Sequence, residues 1–233
     1  MAIKISHKKS LSKKEQIYLG LKSDIISHRL RAGQPITEEE IVMQYSISRT
    51  PVREIFRMLE HDGLVKNIPY KGTYVSDLKI EDIEEILDIR YLLESFAAKS
   101  AAKKISSEDI KKLSELEYQF QTAVKSNNGV LSFEADSRLH ELILDIAGNN
   151  RLHTIISNLM DQIHRIRFIS GHIEGRIETT VKEHIDIIKA LKKKDPKLAM
   201  LKMQIHLSNT KTLLLQSSEI EEKLKSLPSK MVV

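Results

Sequence analysis

Four side chains in the C-terminal part of the chain carry metal-binding chemistry: Asp136, His140, His184 and His206. Asp136 and His140 stand four apart in FEADSRLHELIL, which puts them on one face of one helix. His184, in VKEHIDIIKAL, flanks the stripe made by Ile187 and Ile188, and His206 lies beside Met203 and Leu207. Neutral imidazoles and a carboxylate suit a divalent ion such as Zn²⁺, with Ni²⁺ and Mn²⁺ as alternatives, in tetrahedral or octahedral geometry. Spacing alone does not single these four out. A histidine beside an apolar stripe is more often a satisfied core residue, and Asp-x3-His recurs by chance. Six further histidines (His7, His28, His61, His153, His164 and His172) are scattered along the chain, and His164 reads as a helix-surface residue. A hydrolytic metal centre is disfavoured. His140-Glu141 lacks the second histidine of H-E-x-x-H, because Leu144 stands there, so no enzyme activity is expected.

A second group carries the chemistry of nucleic-acid recognition. Arg49, Thr50, Arg53 and Arg57 lie on a predicted helix that Ser48 caps and whose first turn holds Pro51, where a missing N–H costs nothing. Its buried face is Val52, Ile55, Phe56 and Leu59, and the first three polar residues sit near its N-terminus. That end of a recognition helix enters the major groove, where Arg donates to guanine O6 and N7. The alternative is an ordinary surface helix with Arg53 and Arg57 paired to Glu54 or Glu60. The neighbouring elements argue against it. Before the helix come a short helix and a turn at Ser46-Ile47. After it, HDGLVKNIPYKGTYV reads as a turn, a strand, a tip at Lys71-Gly72 and a return strand. Gly72 permits positive φ or close approach to a backbone, and Lys66 or Lys71 is placed for phosphate contact.

The elements that position these groups are mostly helical. Residues 11–30 carry Ile17, Leu21, Ile25 and Ile26 at helical spacing, with Gly33 and Pro35 as stops. Thr37 followed by Glu40 is a capping box that opens the short helix carrying Ile41, Val42 and Tyr45. Beyond a short join at residues 76–79, periodicity predicts helices over 80–103, 106–126, 130–147, 149–170, 174–193 and 196–217, and a frayed helix end after Ser217. The expected fold is mainly α: a winged helix-turn-helix over residues 1–76, joined to an all-helical antiparallel bundle over 77–233.

Charge divides the same way. Residues 1–76 hold 13 Lys/Arg against 8 Asp/Glu, whereas 77–233 hold 24 of each, so the net charge of +5 sits in the segment with the DNA-reading pattern. The chain has no Cys, which excludes disulfides and thiolate metal sites. No apolar run approaches the ~18 residues of a membrane span, and the basic N-terminus has no signal-peptide core. A cytoplasmic protein without membrane association is expected.

SISRTPVRE, LEHDGLV and KGTYV resemble the winged helix-turn-helix of the GntR family of bacterial transcription regulators over residues 11–76. The resemblance implies that Arg49, Thr50, Arg53 and Gly72 contact operator DNA, with Arg57 and Lys71 as further candidates. The chain departs from the family pattern at Ser46, where Gly is frequent, at Ile41-Val42 and at Ile55. It also departs in opening its second helix with three glutamates, where some members carry a basic residue.

The segments from Ile86 to Ala98, Asp136/His140, Ala147 to Leu152, Glu183 to Ile188 and His206-Leu207 follow the order found in the FadR-type ligand-binding domain of the same family, called FCD. That resemblance covers residues 80–217. It implies that Asp136, His140, His184 and His206 bind a divalent cation, and that a small organic acid docks beside it. Arg90 is the foremost candidate for the acid's carboxylate, since guanidinium pairs with it bidentately, although an ion pair with Glu94 on the same helix competes for it. Arg165, Arg167 and Asn149 are further candidates. The implied protein is a homodimeric regulator, a repressor in the commoner arrangement, on a pseudo-palindromic double-stranded operator. A regulator that senses the metal itself is the runner-up.

Overall fold

A computed structural model describes residues 11–77, 79–171 and 176–216. Lys8, Lys9, His7, His172 and the expected frayed end after Ser217 lie outside the described residues. The described residues divide into two compact units, one ending at Asp77 and one beginning after it.

The first unit runs α1 (Lys13–Ile26), β1 (Pro35–Ile36), α2 (Glu38–Tyr45), α3 (Arg49–His61), β2 (Val65–Ile68) and β3 (Gly72–Val75). Its core is Ile17, Leu21 and Ile25 from α1, Ile41 from α2, and Val52, Ile55, Phe56 and Leu59 from α3, closed by Leu64, Val65 and Val75. The helix α1 ends well before the Gly33-Pro35 stop expected from sequence. Its last turn is closed at Ser27, whose hydroxyl donates to the Ser23 carbonyl, and His28 takes a left-handed φ of 55°. The Thr37–Glu40 capping box is present, with both reciprocal bonds made. Ser48 occupies the N-cap position of α3, but its hydroxyl makes no capping bond. Ser46 holds φ +50° in the turn between α2 and α3, a left-handed conformation that glycine adopts more readily. The strand β1 was not foreseen. Pro35 and Ile36 pair with Tyr74 and Thr73, so the wing hairpin is widened to three antiparallel strands in the order β1-β3-β2.

The second unit is α4 (Ile80–Lys104), α5 (Ser107–Lys125), α6 (Gly129–Ala147), α7 (Asn150–Gly171), α8 (Arg176–Lys192) and α9 (Pro196–Gln216). These agree with the predicted helices to within about two residues at each end, the usual uncertainty of a helix boundary. The Ser106–Asp109 capping box opens α5, Asn128 caps α6, and Gly148 ends α6 in a left-handed conformation. Five helices form a closed ring in which α4 packs on α9, α9 on α8, α8 on α5, α5 on α6 and α6 on α4; α7 packs against α6 and α4. One apolar core fills the ring, from Ile83 and Leu87 through Phe120, Leu139 and Ile143 to Ile187, Met203 and Leu207. Among the described residues, no helix is long and apolar enough to cross a membrane.

Candidate functional site

The ring closes around a polar centre. Asp136 and His140 come from α6, His184 from α8 and His206 from α9, and each offers a ligand atom within 4.8 Å of the others. All four are buried. His184, which the sequence placed at the flank of an apolar stripe, is fully enclosed and packs against Phe120 of α5, with ring centroids 4.8 Å apart. The three imidazoles face one another at centroid distances of 4.5, 5.4 and 5.6 Å.

The outer nitrogens of two rings are held by carboxylates. His140 Nδ1 meets Glu94 Oε2, and His206 Nδ1 lies 2.8 Å from Glu183 Oε2. A carboxylate at Nδ1 keeps the proton there, which leaves the Nε2 lone pair to face inward. His140 Nε2 is fully buried and has no hydrogen-bond partner among the described residues. His184 Nε2 lies 3.0 Å from Asp136 Oδ1. The carboxylates are themselves anchored. Arg90 Nε donates to Glu94 Oε1 at 2.6 Å, Asn209 donates to Glu183 Oε1 at 2.8 Å, and Arg167 Nε lies 2.9 Å from Asp136 Oδ2.

This shell sets the charge states. Burial works to raise the Asp136 carboxyl, but Arg167, His184 and His140 outweigh it and hold Asp136 well below the usual carboxylate range. Glu94 is likewise held low by Arg90 and His140 against the effect of burial. Burial, reinforced by Arg167, lowers His140 to about 4; burial, reinforced by His184, lowers His206 to about 3. At neutral pH the centre therefore presents an anionic Asp136 and unprotonated His140 and His206, the states a divalent cation requires of its ligands. Ligand bonds of about 2.1 Å place donor atoms about 3–4.2 Å apart around one ion. The observed limit of 4.8 Å lies about 0.6 Å beyond the widest of these separations, so a modest inward shift of the side chains would close the set on one ion, and the residue types present fit it.

The expected effector residues separate. Arg90 is almost wholly buried and does make the ion pair with Glu94, yet its Nη2 has no partner among the described residues. Arg165 is equally buried on α7, and Arg167, two residues on, reaches Asp136. Asn149 stands apart from this constellation. It is exposed, and its side chain accepts the Leu152 N–H at the start of α7. Glu94, Glu183 and Arg167 carry roles that the sequence reading did not assign. The adjacency of Glu183 to His184 and the i,i+4 spacing of Arg90 and Glu94 were the available signals.

The surface of the first unit is laid out differently. Arg49, Thr50, Arg53 and Arg57 are exposed on α3. The pairs to Glu54 and Glu60 entertained from sequence are not made by these arginines. Glu54 is bound by Lys14 at 2.8 Å, and Glu60 accepts the Asn67 N–H. Arg53 instead reaches Glu38 and Arg49 reaches Glu39, both on α2. At the wing tip Gly72 has φ +104°, and a Cβ built there meets nothing within 4 Å, so the requirement for glycine is conformational and the tip is open. Lys71 is exposed beside it.

Residues 13–75 match the family of bacterial regulatory proteins called gntR, and residues 85–209 match the FCD domain. The chain belongs to the GntR family, in its FCD-containing form, and is a DNA-binding transcription regulator rather than an enzyme. Among its relatives is the HTH-type transcriptional repressor RspR of Escherichia coli, 30% identical over 193 residues that span 83% of this chain and 85% of RspR. The Uxu operon regulator of Haemophilus influenzae is 30% identical over 223 residues, 87% of this chain and 82% of that protein. The structure of E. coli McbR/YncC superposes with a TM-score of 0.74 at 21% identity, covering 88% of this chain and 98% of that one, and shares the fold.

Proposed function

We propose that the chain is a homodimeric cytoplasmic repressor whose hold on a pseudo-palindromic operator is controlled by a small carboxylate. The carboxylate binds at a divalent-metal site formed by Asp136, His140, His184 and His206. The observation that carries this reading is the inward-facing His140 Nε2, without a hydrogen-bond partner among the described residues and 3.6 Å from Asp136 Oδ1, within a buried set of four residues, three of which are held from outside by Glu94, Glu183 and Arg167. A buried polar nitrogen left without a partner is costly in a finished core. Zn²⁺ is the first candidate and Ni²⁺ or Mn²⁺ the alternatives; the ion would supply positive charge to an incoming carboxylate. Arg90 Nη2 supplies a donor for the same anion, which favours an organic effector over sensing of the metal alone. Arg49, Thr50, Arg53 and Arg57 face the major groove, and Lys71 and Gly72 approach the backbone beside it. The name of RspR supports the repressor reading. Control follows if effector and DNA favour different states of the dimer, since each then weakens the other's binding.

The test is elemental analysis of the purified protein, followed by a thermal-shift screen of central-metabolism and sugar acids with and without chelator. A stoichiometric divalent metal, a chelator-sensitive shift with one acid and release of DNA by that acid are expected. Absence of metal from protein purified without chelator and then offered Zn²⁺, Ni²⁺ and Mn²⁺ would sink the site.

A further inference from the structure

The helix α2 opens with Glu38, Glu39 and Glu40, and only Glu40 is engaged in capping, by accepting the Thr37 N–H at 3.0 Å. Acidic residues at a helix N-terminus are favoured by the dipole, which accounts for their presence in that turn. It does not account for where the other two point. Glu38 Oε1 takes Arg53 Nε at 2.8 Å, and Glu39 Oε1 takes Arg49 Nη2 at 3.4 Å, across 15 and 10 residues of sequence. Both arginines at the N-terminal end of α3 are thus held by carboxylates from the first turn of α2. The two pairs differ in kind. Arg49 and Glu39 are exposed by 63% and 75%, and their contact is long, so it opens readily; Glu38 is only 31% exposed and its contact is short.

We infer that Glu38 is a positioning residue for Arg53 and that Glu38 and Glu39 together suppress sequence-independent binding to DNA. The inference rests on the placement of Arg49 and Arg53 against DNA. With Nε held by Glu38, Arg53 has its two terminal nitrogens free, a fork that matches the O6 and N7 acceptors of guanine. The same carboxylates oppose phosphates. Non-specific affinity comes from neutralised phosphates and released counterions, so each carboxylate on the DNA face subtracts from it. Specific affinity is spared where the preset fork meets its base. The outcome is a head that trades loose attraction for discrimination.

The experiment selects a consensus duplex from a random-sequence pool with the full chain. It then measures affinity for that duplex and for mixed-sequence duplex over a range of salt, in the wild type and in E38Q, E38A, E39Q, E40Q and R53A. E38Q keeps an oxygen to accept from Arg53 Nε while losing the charge. It and E39Q should raise mixed-sequence affinity by up to about eightfold at 0.1 M salt, with the salt slope steeper by up to about 0.9, and leave consensus binding at least as tight. E38A should lose about tenfold on the consensus and relax preference at one G·C pair, a loss that E38Q does not share. E40Q preserves the capping box and touches neither arginine, so its ratio of consensus to mixed-sequence affinity should match the wild type. If R53A abolishes consensus binding but the Glu38 and Glu39 variants change both affinities by one common factor, or by none, the inference is overturned. If R53A leaves consensus binding intact, the placement of Arg53 on DNA is wrong and the inference falls with it.

Discussion

The two units use the same pair of groups to opposite ends. In the head, Arg53 and Glu38 meet at 2.8 Å with 62% and 31% of their side chains exposed; in the bundle, Arg90 and Glu94 meet at 2.6 Å with 1% and 2% exposed. In water the first pair is weak, and it engages Arg53 through Nε at a surface that solvent reaches. In the core the second pair cannot be traded for solvent. Removing one partner strands a charge that burial makes costly. Exposure, not the chemistry of the pair, separates an arginine at the surface from one that anchors the carboxylate beside His140.

Five measurements break or sharpen that contrast. Arg90→Ala should have the largest effect, about 3–5 kcal/mol of lost stability by chemical denaturation, because Glu94 is left buried without its guanidinium. A loss no larger than that of a surface variant would erase the distinction. Metal removal comes next. At a thousandfold excess over its dissociation constant a bound ion would contribute about 4 kcal/mol, so on the proposed function chelator should lower the melting temperature of the wild type by several degrees. His184→Ala should cut metal content and abolish the chelator effect; unchanged stoichiometry by elemental analysis would remove His184 from the ligand set. Thr37→Ala should cost about 1 kcal/mol through the lost cap of α2. Arg53→Ala should leave the melting temperature where it was and abolish consensus-DNA binding in a gel shift, the reverse of the Arg90 result.

Much of this was legible because it is local. Helix ends follow caps and apolar periodicity, and α5 and α6, capped by Ser106 and Asn128, begin within one residue of where periodicity placed them. The ligand set needed more. Asp136 and His140 share a helix face by spacing, but His184 and His206 joined them only through the order of features that resembles the FCD domain. What stayed hidden was long-range pairing. Glu94 meets His140 across 46 residues, and nothing in the period of either helix encodes that contact. Arg165 and Arg167 both adjoin Ile166 and both are buried, and nothing in that pattern marks Arg167 as the partner of Asp136. Strand β1 is two residues long, too short for any alternation to show. Glu38 and Glu39 read as helix-start acids, and only the fold of α3 against α2 brings arginines to them.

Arg90 and Glu94 lie on a helix that runs without Gly or Pro from Ile80 to Lys104. At 1.5 Å per residue, Glu94 stands about 21 Å from the first residue of that rod. An unbroken helix of this length bends little, so a tilt of about 10° pivoting at Glu94 swings Ile80 by about 3.6 Å. Asp77, the last residue of the head, lies only three positions earlier in the chain. The lever arm is already present in α4, and its stiffness sets how much of a small motion at the buried centre arrives at its far end.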